Sequence, residues 1–368
     1  MSVKGIDLFC GAGGFSKGIG EAGINVLFGA DKWPVATQAY EQYVGHDAIN
    51  ANLAQTNADQ LFQGTDINPD EVDLVVGGPP CQGFSIQRTG EDEDERNHLV
   101  LEFGRLVKEI SPTLFVMENV PGLLGKRGHE LAIAFEERMQ KAGYLVEAVK
   151  INCADYGVPQ NRKRIFYYGW PQGESRFVFP GKTHENEVVT VGDAIGDLPS
   201  PPQNHKPHPE DPLHRRMRLS QKNKERLKMV PQGGGFEDIP VEMRAPCHRD
   251  GPEDIGHRGV YGRLDANKPA GTITARFDSF TRGRFAHPFE NRNISLREGA
   301  RLQTFDDDFK PKGTQEEVAA LIGNAVPPRI GEVIGEAIIN YFRGGEKSVE
   351  RNGIKPQRMA HQLGFFKS

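Results

Sequence analysis

The stretch Ile6-Asp7-Leu8-Phe9-Cys10-Gly11-Ala12-Gly13-Gly14 joins a short apolar strand, expected over residues 3–9, to a glycine-rich turn that opens a helix. Glycines let a ligand approach the backbone closely, and the start of a helix offers free N–H groups. A second strand is expected to end at Asp31, whose carboxylate can accept hydrogen bonds from ribose hydroxyls. Together these features indicate an adenosine-type cofactor. NAD, FAD and S-adenosylmethionine all fit the pattern, and so does a tight turn without a ligand.

Residues 1–170 alternate between apolar strands and segments with helical spacing. Leu99, Phe103, Leu106 and Ile110 fall on one face of a helix, and apolar strands are expected on either side of it, over 72–76 and 113–117. The alternation predicts an α/β fold with a mostly parallel sheet covered by helices. Ligands of such sheets bind at the carboxyl ends of the strands.

The composition and the periodicity of the sequence change near residue 179. Residues 199–212 are rich in proline and histidine, three consecutive glycines follow Gln232, and periodic signals are weak until residue 290. This region is expected to form a separate, loop-rich unit of short strands. An apolar stripe over 330–341 predicts a helix that packs back on the first domain, and the polar residues after 344 predict a poorly fixed tail.

Composition excludes several classes of protein. The chain has 368 residues, of which 37% are hydrophobic and 26% charged, and this excludes global disorder. It contains no apolar run near the ~18 residues that a membrane span needs, and its first ten residues predict no secretory signal. The four cysteines are widely spaced with no C-x-x-C, a pattern typical of a reducing cytosol.

Charge is distributed unevenly along the chain. The net charge is −5, yet residues 201–300 hold 18 Lys and Arg against 13 Asp and Glu, together with six of the eleven histidines. Such a segment is either ordinary solvated surface or a surface that meets a polyanion.

Three further patterns contain candidate catalytic residues. Cys81 follows a strand end in the loop GGPPCQGFS (77–85), so its thiol is either a nucleophile or an inert packing residue. Glu118 lies at the end of the next apolar strand, and the ends of parallel strands converge on one crevice. The run QNRKR (160–164) precedes another strand, where alternation would point Arg162 and Arg164 the same way.

These motifs, in this order, resemble the DNA (cytosine-5)-methyltransferase family of the prokaryotic type. The late stretches REGARLQTF (297–305) and GNAVPP (323–328) add to PPCQGFS, ENV (118–120) and QNRKR, and the likeness covers roughly residues 3–340 except the region near 180–275. The resemblance implies a Rossmann-like, S-adenosylmethionine-dependent methyltransferase sheet. It implies a catalytic and cofactor-binding domain over 1–178, completed by a helix at about 318–343, a target-recognition domain over 179–317 and a flexible tail over 344–368.

The resemblance also implies a mechanism. A methyl group passes from S-adenosylmethionine to carbon 5 of a cytosine in a specific double-stranded DNA sequence, and S-adenosylhomocysteine is released. The target base must be rotated out of the helix to be reached. The Cys81 thiolate would add to carbon 6, because carbon 5 is too weak a nucleophile by itself. A protonated Glu118 would be the partner of ring nitrogen 3, which gains negative charge on addition. Arg164 would hold the carbonyl oxygen of the base, and Arg162 would steady Glu118 or a phosphate.

For the cofactor, the resemblance implies that Phe9 stacks on adenine and Asp31 binds the ribose. Lys32 stands where the family often has an apolar or aromatic residue, and Asn52 where it often has aspartate facing the adenine amino group. The other positions carried over as cofactor-binding are Gly11, Ala12, Gly13, Gly14, Leu53, Pro79 and Asn324.

For DNA, the resemblance and the residue types together select polar and guanidinium side chains on two segments. Residues 82–97, with an acidic run over 91–95, suit either a lid over the flipped base or a loop without that role. The expected DNA-binding residues are Gln82, Ser85, Arg263, Thr272, Thr274, Arg276, Arg282 and Arg284, although 261–284 also fits an ordinary basic loop. Cys247, His248 and His257 match no zinc spacing, so no metal is expected.

The expected partner is double-stranded DNA, and the enzyme is expected to work either beside a cognate restriction endonuclease or alone. It is expected to act as a monomer on DNA in the nucleoid region of the cytoplasm, with no membrane. Because the first motif begins at residue 7, a compact prokaryotic or phage-type enzyme is favoured. Two alternatives stay open: a transfer RNA cytosine-5 methyltransferase, and a non-catalytic DNA-binding module on the same fold. A nicotinamide oxidoreductase is the weakest alternative.

Overall fold

A computed structural model describes residues 2–80, 98–245 and 259–344, and these fall into two compact units. Unit 1 comprises the chain up to Asn152, then Lys163–Thr183, and the chain from Val326 onward. Unit 2 comprises Cys153–Arg162 and His184–Ala325. Two stretches that the sequence analysis assigned to the first domain, 153–162 and 318–325, therefore pack in unit 2. The assignment of a function to each unit stays a prediction.

Eleven strands occur in the described residues. In chain order they are β1 (Lys4–Leu8), β2 (Asn25–Asp31), β3 (Ala48–Asn50), β4 (Leu74–Gly77), β5 (Leu114–Asn119), β6 (Tyr144–Asn152), β7 (Gln160–Asn161), β8 (Lys163–Pro171), β9 (Gly262–Arg263), β10 (Ala270–Gly271) and β11 (Arg284–Ala286). Seven of them form the sheet of unit 1 in the order β3-β2-β1-β4-β5-β8-β6. The pairs from β3 to β5 are parallel, while β8 runs antiparallel to both β5 and β6. The predicted α/β, Rossmann-like and mostly parallel sheet is confirmed.

The central strands β4 and β5 are buried on both faces, as their sequences predict. All four residues of β4 and all six of β5 are buried, as expected for parallel strands that are covered by helices on each side. Strand β4 stops before Pro79 and Pro80, because proline cannot donate to a sheet ladder. The strand order reverses between β1 and β4, so the loops that follow these two strands open at the switch point, where α/β sheets bind ligands.

The helices are, in chain order, α1 (Gly14–Glu21), α2 (Pro34–Val44), α3 (Ala58–Phe62), α4 (Leu99–Ile110), α5 (His129–Lys141), α6 (Val191–Ile195), α7 (Gln221–Met229), α8 (Leu296–Leu302), α9 (Gln315–Asn324) and α10 (Pro328–Phe342). In α4 the predicted apolar face is buried, and Ser111 in the left-handed conformation ends the helix. The apolar stripe of α10 packs on α1 so closely that a Cβ at Gly18 would lie 2.0 Å from the Pro328 carbonyl oxygen. No helix within the described ranges is long and apolar enough to cross a membrane.

Unit 2 has little regular structure and is held together by buried arginines. Strand β7 pairs with β10, and β9 with β11, each through two residue pairs. Arg297 is fully buried and donates to the carbonyl oxygens of Asp306 (2.8 Å) and Phe309 (2.8 Å) as well as pairing with Asp211. Arg292 and Glu298 form a second buried pair, with nitrogen–oxygen distances of 2.6 and 2.7 Å. Guanidinium groups that satisfy loop carbonyls replace the regular ladders that this unit lacks.

Candidate active site

The loop after β1 has the backbone that a ligand-binding turn needs. Phe9 and Gly11 have positive φ values of 60° and 53°, and no atom lies within 4 Å of the position where a Cβ at Gly11 would stand. Gly11 is therefore required for its backbone conformation rather than for packing inside the protein, and its face is open. Asp31, at the end of β2, accepts hydrogen bonds from the backbone N–H groups of Gly11 (3.1 Å) and Trp33 (2.9 Å). Burial raises the pKa of Asp31 above its ordinary range.

Beneath this loop lies a polar chain that the sequence analysis did not assign. The Tyr40 hydroxyl donates to Ser16 Oγ (3.0 Å), which donates to Asp7 Oδ2 (2.8 Å). All three residues are buried, and burial raises the pKa of Asp7 to about 7. Because Ser16 stands in the first turn of α1 and Asp7 in β1, the chain ties the strand to the helix across the glycine turn. Asp7 belongs to the first motif quoted above, whereas the sequence analysis found no signal for Tyr40.

The other predicted cofactor positions fall into exposed and buried groups. Lys32 and Asn52 are exposed, and Asn52 Oδ1 accepts from the backbone N–H of Ala54 (3.3 Å). Leu53 is only 2% exposed and belongs to the apolar core of unit 1, so its side chain serves the core. Ala12, Gly13, Gly14 and Pro79 are buried in unit 1, and Asn324 is an exposed residue at the end of α9 in unit 2. Their roles toward a cofactor stay predictions.

A carboxyl group and a guanidinium group meet at the end of β5. Arg164 Nε lies 2.6 Å from Glu118 Oε1, and both side chains are largely buried. The contact has the length of an ion pair, but its angles are not those of a hydrogen bond, so Oε1 is buried without a hydrogen bond to any described residue. A donor on a bound base can pair with this oxygen, and an acceptor can do so once the carboxyl is protonated, because a buried polar atom without a hydrogen bond is unfavourable.

The same strand end is tied to the loop that leads to Cys81. Asn119, which is 2% exposed, donates from Nδ2 to the Pro79 carbonyl oxygen (3.1 Å). A Cβ at Gly78 would lie 3.7 Å from Glu118 Oε2, so Glu118 borders this loop directly. The loop is described as far as Pro80, while Cys81, Gln82 and Ser85 lie outside the described residues. The expected convergence of the two strand ends is thus observed for Glu118 and residues 78–80.

Comparison with known proteins identifies the family. A family model described as C-5 cytosine-specific DNA methylase matches residues 3–340. The chain belongs to this family. This methyltransferase is 36% identical over 345 residues to the Type II methylase M.HgiDII of Herpetosiphon aurantiacus, over 92% of this chain and 96% of the relative. It is 37% identical over 347 residues to the Type II methyltransferase M1.HphI of Haemophilus parahaemolyticus, over 92% and 87% of the two chains.

Solved structures agree on the fold. The crystal structure of a prophage-encoded protein from E. coli, assigned as a DNA modification methyltransferase, is 25% identical with a TM-score of 0.70, covering 93% of this chain and all of the other. The S. pombe Dnmt2 methyltransferase is 14% identical with a TM-score of 0.64, covering 94% and 99%. With the family match, these findings make the protein a DNA (cytosine-5)-methyltransferase with a Rossmann-like fold, as the sequence motifs predicted.

The structure corrects the role expected of Arg162. This residue is 1% exposed in unit 2, and its guanidinium donates to the carbonyl oxygens of Ile273 (3.1 Å), Gly323 (3.0 Å) and Ala325 (3.0 Å). A guanidinium buried in this way cannot bind a phosphate, so that part of the expectation is wrong, while the expectation that Arg162 steadies Glu118 stays a prediction. The strand is interrupted at Arg162, between β7 and β8, so the alternation that would have pointed Arg162 and Arg164 the same way does not apply.

The structure also corrects part of the predicted DNA-reading set. Arg263 is 5% exposed, and all five of its N–H groups donate to unit 2: to the carbonyl oxygens of Leu227, Val230, His287 and Glu290 and to Asn291 Oδ1, at 2.7–2.9 Å. It is a structural residue and cannot read DNA. Arg284 donates to the backbone carbonyls of Gly233 and Gly234, and Arg276 pairs with Asp278 (3.3 Å) and Glu316 (3.3 Å).

Five of the predicted DNA-binding residues keep at least partly accessible side chains, because Arg276 and Arg284 are half-buried in spite of their contacts. Arg282 is exposed, while Thr272 and Thr274 are half-buried, and the Thr272 hydroxyl donates to the Asn161 carbonyl oxygen (2.9 Å). In the part of the chain that the structure describes, no group of three or more His, Cys, Asp or Glu residues could hold a metal ion. Cys247, His248 and His257 lie outside that part.

Proposed function

We propose that this DNA (cytosine-5)-methyltransferase takes its methyl group from S-adenosylmethionine and forms a transient covalent bond between Cys81 and carbon 6 of the target cytosine. One observation carries the proposal: the Glu118–Arg164 pair, with a buried carboxylate oxygen that has no described hydrogen bond, borders the loop that runs into Cys81. A proton-transfer group and a cation beside a nucleophile are what addition to a pyrimidine ring requires.

The residues of unit 1 fit the cofactor. The open face of Gly11 admits a ligand to the backbone, Phe9 stands partly exposed at the end of β1, and Asp31 offers carboxylate oxygens at the end of β2. Lys32 follows Asp31 directly, and Asn52 follows β3, whose Asn50 pairs with Asp31; both side chains are exposed. We assign the ribose to Asp31, the adenine to Phe9 and Asn52, and the methionine end to the glycine turn. When bound, S-adenosylmethionine supplies an electrophilic methyl group on a sulfonium centre.

Cys81, Glu118 and Arg164 act on the cytosine ring in two stages. The Cys81 thiolate forms a sulfur–carbon 6 bond, and the electron pair of the carbon 5–carbon 6 double bond forms a carbon 4–carbon 5 double bond. The carbon 4–nitrogen 3 double bond opens, and Glu118, protonated once the base is bound, gives its proton to ring nitrogen 3. Arg164 then stabilises the Glu118 carboxylate and holds the carbonyl oxygen of the base. Once carbon 5 carries the methyl group, a water removes its hydrogen as a proton, the double bond re-forms, the sulfur–carbon 6 bond breaks, and nitrogen 3 returns its proton to Glu118.

The substrate we propose is double-stranded DNA with the target cytosine rotated out of the helix, because these atoms cannot be reached inside a duplex. Gln82, Ser85, Thr272, Thr274, Arg276, Arg282 and Arg284 remain the candidate contacts with DNA. Unit 2 remains the candidate reader of sequence. The relatives named above are Type II methylases, which supports a cognate restriction endonuclease as the functional partner. We further propose that the enzyme acts as a monomer at the nucleoid, where its substrate lies.

The test is a methyl-transfer assay with S-adenosylmethionine labelled on the methyl group. Unmethylated duplex DNA should yield 5-methylcytosine after digestion to nucleosides, and bisulfite sequencing should place it at one recurring sequence. The Cys81→Ser variant should bind S-adenosylmethionine with nearly unchanged affinity and transfer no methyl group. Label found on an exocyclic nitrogen, label found only on transfer RNA, or turnover by Cys81→Ser would overturn the proposal.

A further inference from the structure

Residues 215–228 form the most basic segment of unit 2, and we call them the basic segment. They contain seven cationic side chains and one anionic side chain, Glu225. The cations are Arg215, Arg216, Arg218, Lys222, Lys224, Arg226 and Lys228. The second half of the segment belongs to α7, whose first residue follows the N-cap Ser220.

Two of the seven cations hold the fold of unit 2. Arg216 pairs with Glu290 (2.8 Å) and donates to the Pro201 carbonyl oxygen (2.9 Å). Arg226 is buried, donates to the Met243 carbonyl oxygen (2.7 Å) and lies over the Tyr261 ring at 5.3 Å. These contacts fix α7 by one face, with Leu227 fully buried on the same side.

Four other cations of the basic segment face solvent: Arg218, Lys222, Lys224 and Lys228. None of the four has a hydrogen bond or ion pair from its side chain to any residue in the described ranges. The one acidic neighbour, Glu225, accepts instead from Gln221 Nε2 (3.0 Å). The segment therefore keeps a cluster of uncompensated positive charge on its exposed face.

Helix stability accounts for Lys228, which stands in the last turn of α7, but not for Lys222 and Lys224. The first turn of a helix favours acidic side chains, because the N-terminus carries a partial positive charge. The first turn of α7 contains no acidic residue, and Lys222 and Lys224 stand near its N-terminal end. Lysines placed there are unfavourable for the isolated helix but strengthen its attraction for an anion such as phosphate.

The arginines of residues 261–284, the stretch expected to contact DNA, are engaged by the protein more strongly than the exposed cations of the basic segment. Arg263 makes five internal hydrogen bonds, Arg276 pairs with two carboxylates while its side chain stays 38% exposed, and Arg284 donates to backbone carbonyls. Only Arg282 of the four arginines there is exposed. Non-specific affinity for DNA comes from cations that neutralise phosphates, and Lys222, Lys224 and Lys228 of α7 provide three such cations without a side-chain partner in the described ranges.

We propose that the exposed cations of the basic segment bind the phosphate backbone of duplex DNA and position it without reading its sequence. The inference rests on the proposed function, since it assumes that duplex DNA is the substrate. It assigns the electrostatic part of binding to α7 and leaves base readout to other residues of the chain.

The experiment compares the triple variant Lys222→Gln, Lys224→Gln, Lys228→Gln with a control that removes the same charge from exposed positions of unit 1, Lys108→Gln, Lys141→Gln, Lys150→Gln. Binding to a fluorescent 30-base-pair duplex is measured by anisotropy between 50 and 300 mM salt. Each lost phosphate contact lowers the slope of log K against log salt by about 0.9, so the α7 variant should lose about 2 to 3 units of slope and roughly 10- to 100-fold in affinity. The preference for the methylated sequence over other duplexes should not change.

Equal slopes for the α7 variant and the unit 1 control would overturn the inference, as would a loss of affinity for structured RNA without a loss for duplex DNA. Thermal unfolding of both variants checks that each is folded. If the wild-type enzyme methylates duplex DNA while the α7 variant binds it with an unchanged slope, the inference fails alone. If the wild-type enzyme neither binds nor methylates duplex DNA, the proposed function fails first, and this inference with it.

Discussion

Arg164 and Glu118 belong to neighbouring strands that run in opposite directions, yet their side chains meet at one edge of the sheet, with 2.6 Å between Nε and Oε1. Glu118 stands near the end of β5, whereas Arg164 stands near the start of β8. Because β8 is antiparallel, its first residues lie at the edge where the parallel strands have their carboxyl ends. The reversed strand is thus what brings a cation to the ligand edge of the sheet.

Arg164→Ala should lower kcat by about 10²- to 10³-fold, because a cation that stabilises charge developing on the base is removed. The neighbouring Lys163 is exposed, so Lys163→Ala removes the same charge one residue away as a matched control. Single-turnover methylation of duplex DNA measures the effect, and titration with S-adenosylmethionine checks that the cofactor site is intact. Equal losses for the two variants would show that Arg164 acts only through net charge.

Gly11→Ala should weaken S-adenosylmethionine binding at least tenfold, because the new methyl group would stand on the open face of the turn. Gly23→Ala is the matched control. Gly23 also has a positive φ, of 100°, with no atom within 4 Å of its Cβ position, but it lies in the turn between α1 and β2. Both variants carry the same backbone cost of about 1 kcal/mol. A difference between their affinities for S-adenosylmethionine, measured by isothermal titration calorimetry, therefore reports ligand contact and not backbone strain. Equal affinities for the two variants would contradict the placement of the cofactor at Gly11.

The buried Asp7 should make stability depend on pH. Burial raises the pKa of Asp7 from 3.8 to about 7, so the folded protein holds this proton more tightly than the unfolded chain. The folded state is therefore penalised progressively as pH rises from about 4 to about 7, by a few kcal/mol in total, and the penalty stays constant above that range.

Asp7→Asn should remove this pH dependence while keeping the shape of the side chain. The difference between the free energies of unfolding of wild type and Asp7→Asn, measured in urea at pH 4.5, 6 and 8, should grow in favour of the variant as pH rises. Asp66→Asn, an exposed site in unit 1, serves as the control. A difference for Asp7→Asn that does not vary between pH 4.5 and 8 would contradict the assignment.

Arg263→Ala should destabilise unit 2 by about 3 kcal/mol or more, because it leaves four carbonyl groups without a donor, and two of the lost hydrogen bonds are fully buried. Arg282→Ala, at an exposed position, should leave the free energy of unfolding unchanged within about 0.5 kcal/mol. Urea unfolding measures both. A normal stability for Arg263→Ala together with weakened DNA binding would restore Arg263 to the DNA-reading set.

The sheet of unit 1 could be predicted because its signals are local. Apolar runs such as those of β4 and β5, and the spacing of Leu99, Phe103, Leu106 and Ile110, report burial directly. The sequence also predicted that Glu118 lies beside residues 78–80, because parallel strands have their carboxyl ends at one edge of the sheet. The part of Tyr40 in this unit was not predicted, because its hydrogen bond to Ser16 joins two residues that are 24 positions apart in the sequence.

The roles of arginines in unit 2 could not be predicted in the same way. A guanidinium on a loop has the same sequence signature whether it binds a phosphate or five internal acceptors. Arg263 and Arg162 were therefore placed in the DNA and catalytic sets, although the carbonyl groups that they satisfy lie between 24 and 163 residues away from them in the sequence. Only the folded chain distinguishes these arginines from exposed ones such as Arg282.

The most direct test of the proposed chemistry is to trap the enzyme on duplex DNA that carries 5-fluorocytosine at the methylated position. Fluorine cannot leave as a cation, so methylation should halt with Cys81 bound to carbon 6, and the complex should survive denaturing electrophoresis. Peptide mapping should then find the modified nucleotide on Cys81, and Cys81→Ser should give no adduct. A wild-type enzyme that methylates ordinary cytosine at this position but forms no Cys81 adduct with the fluorinated duplex would contradict covalent catalysis.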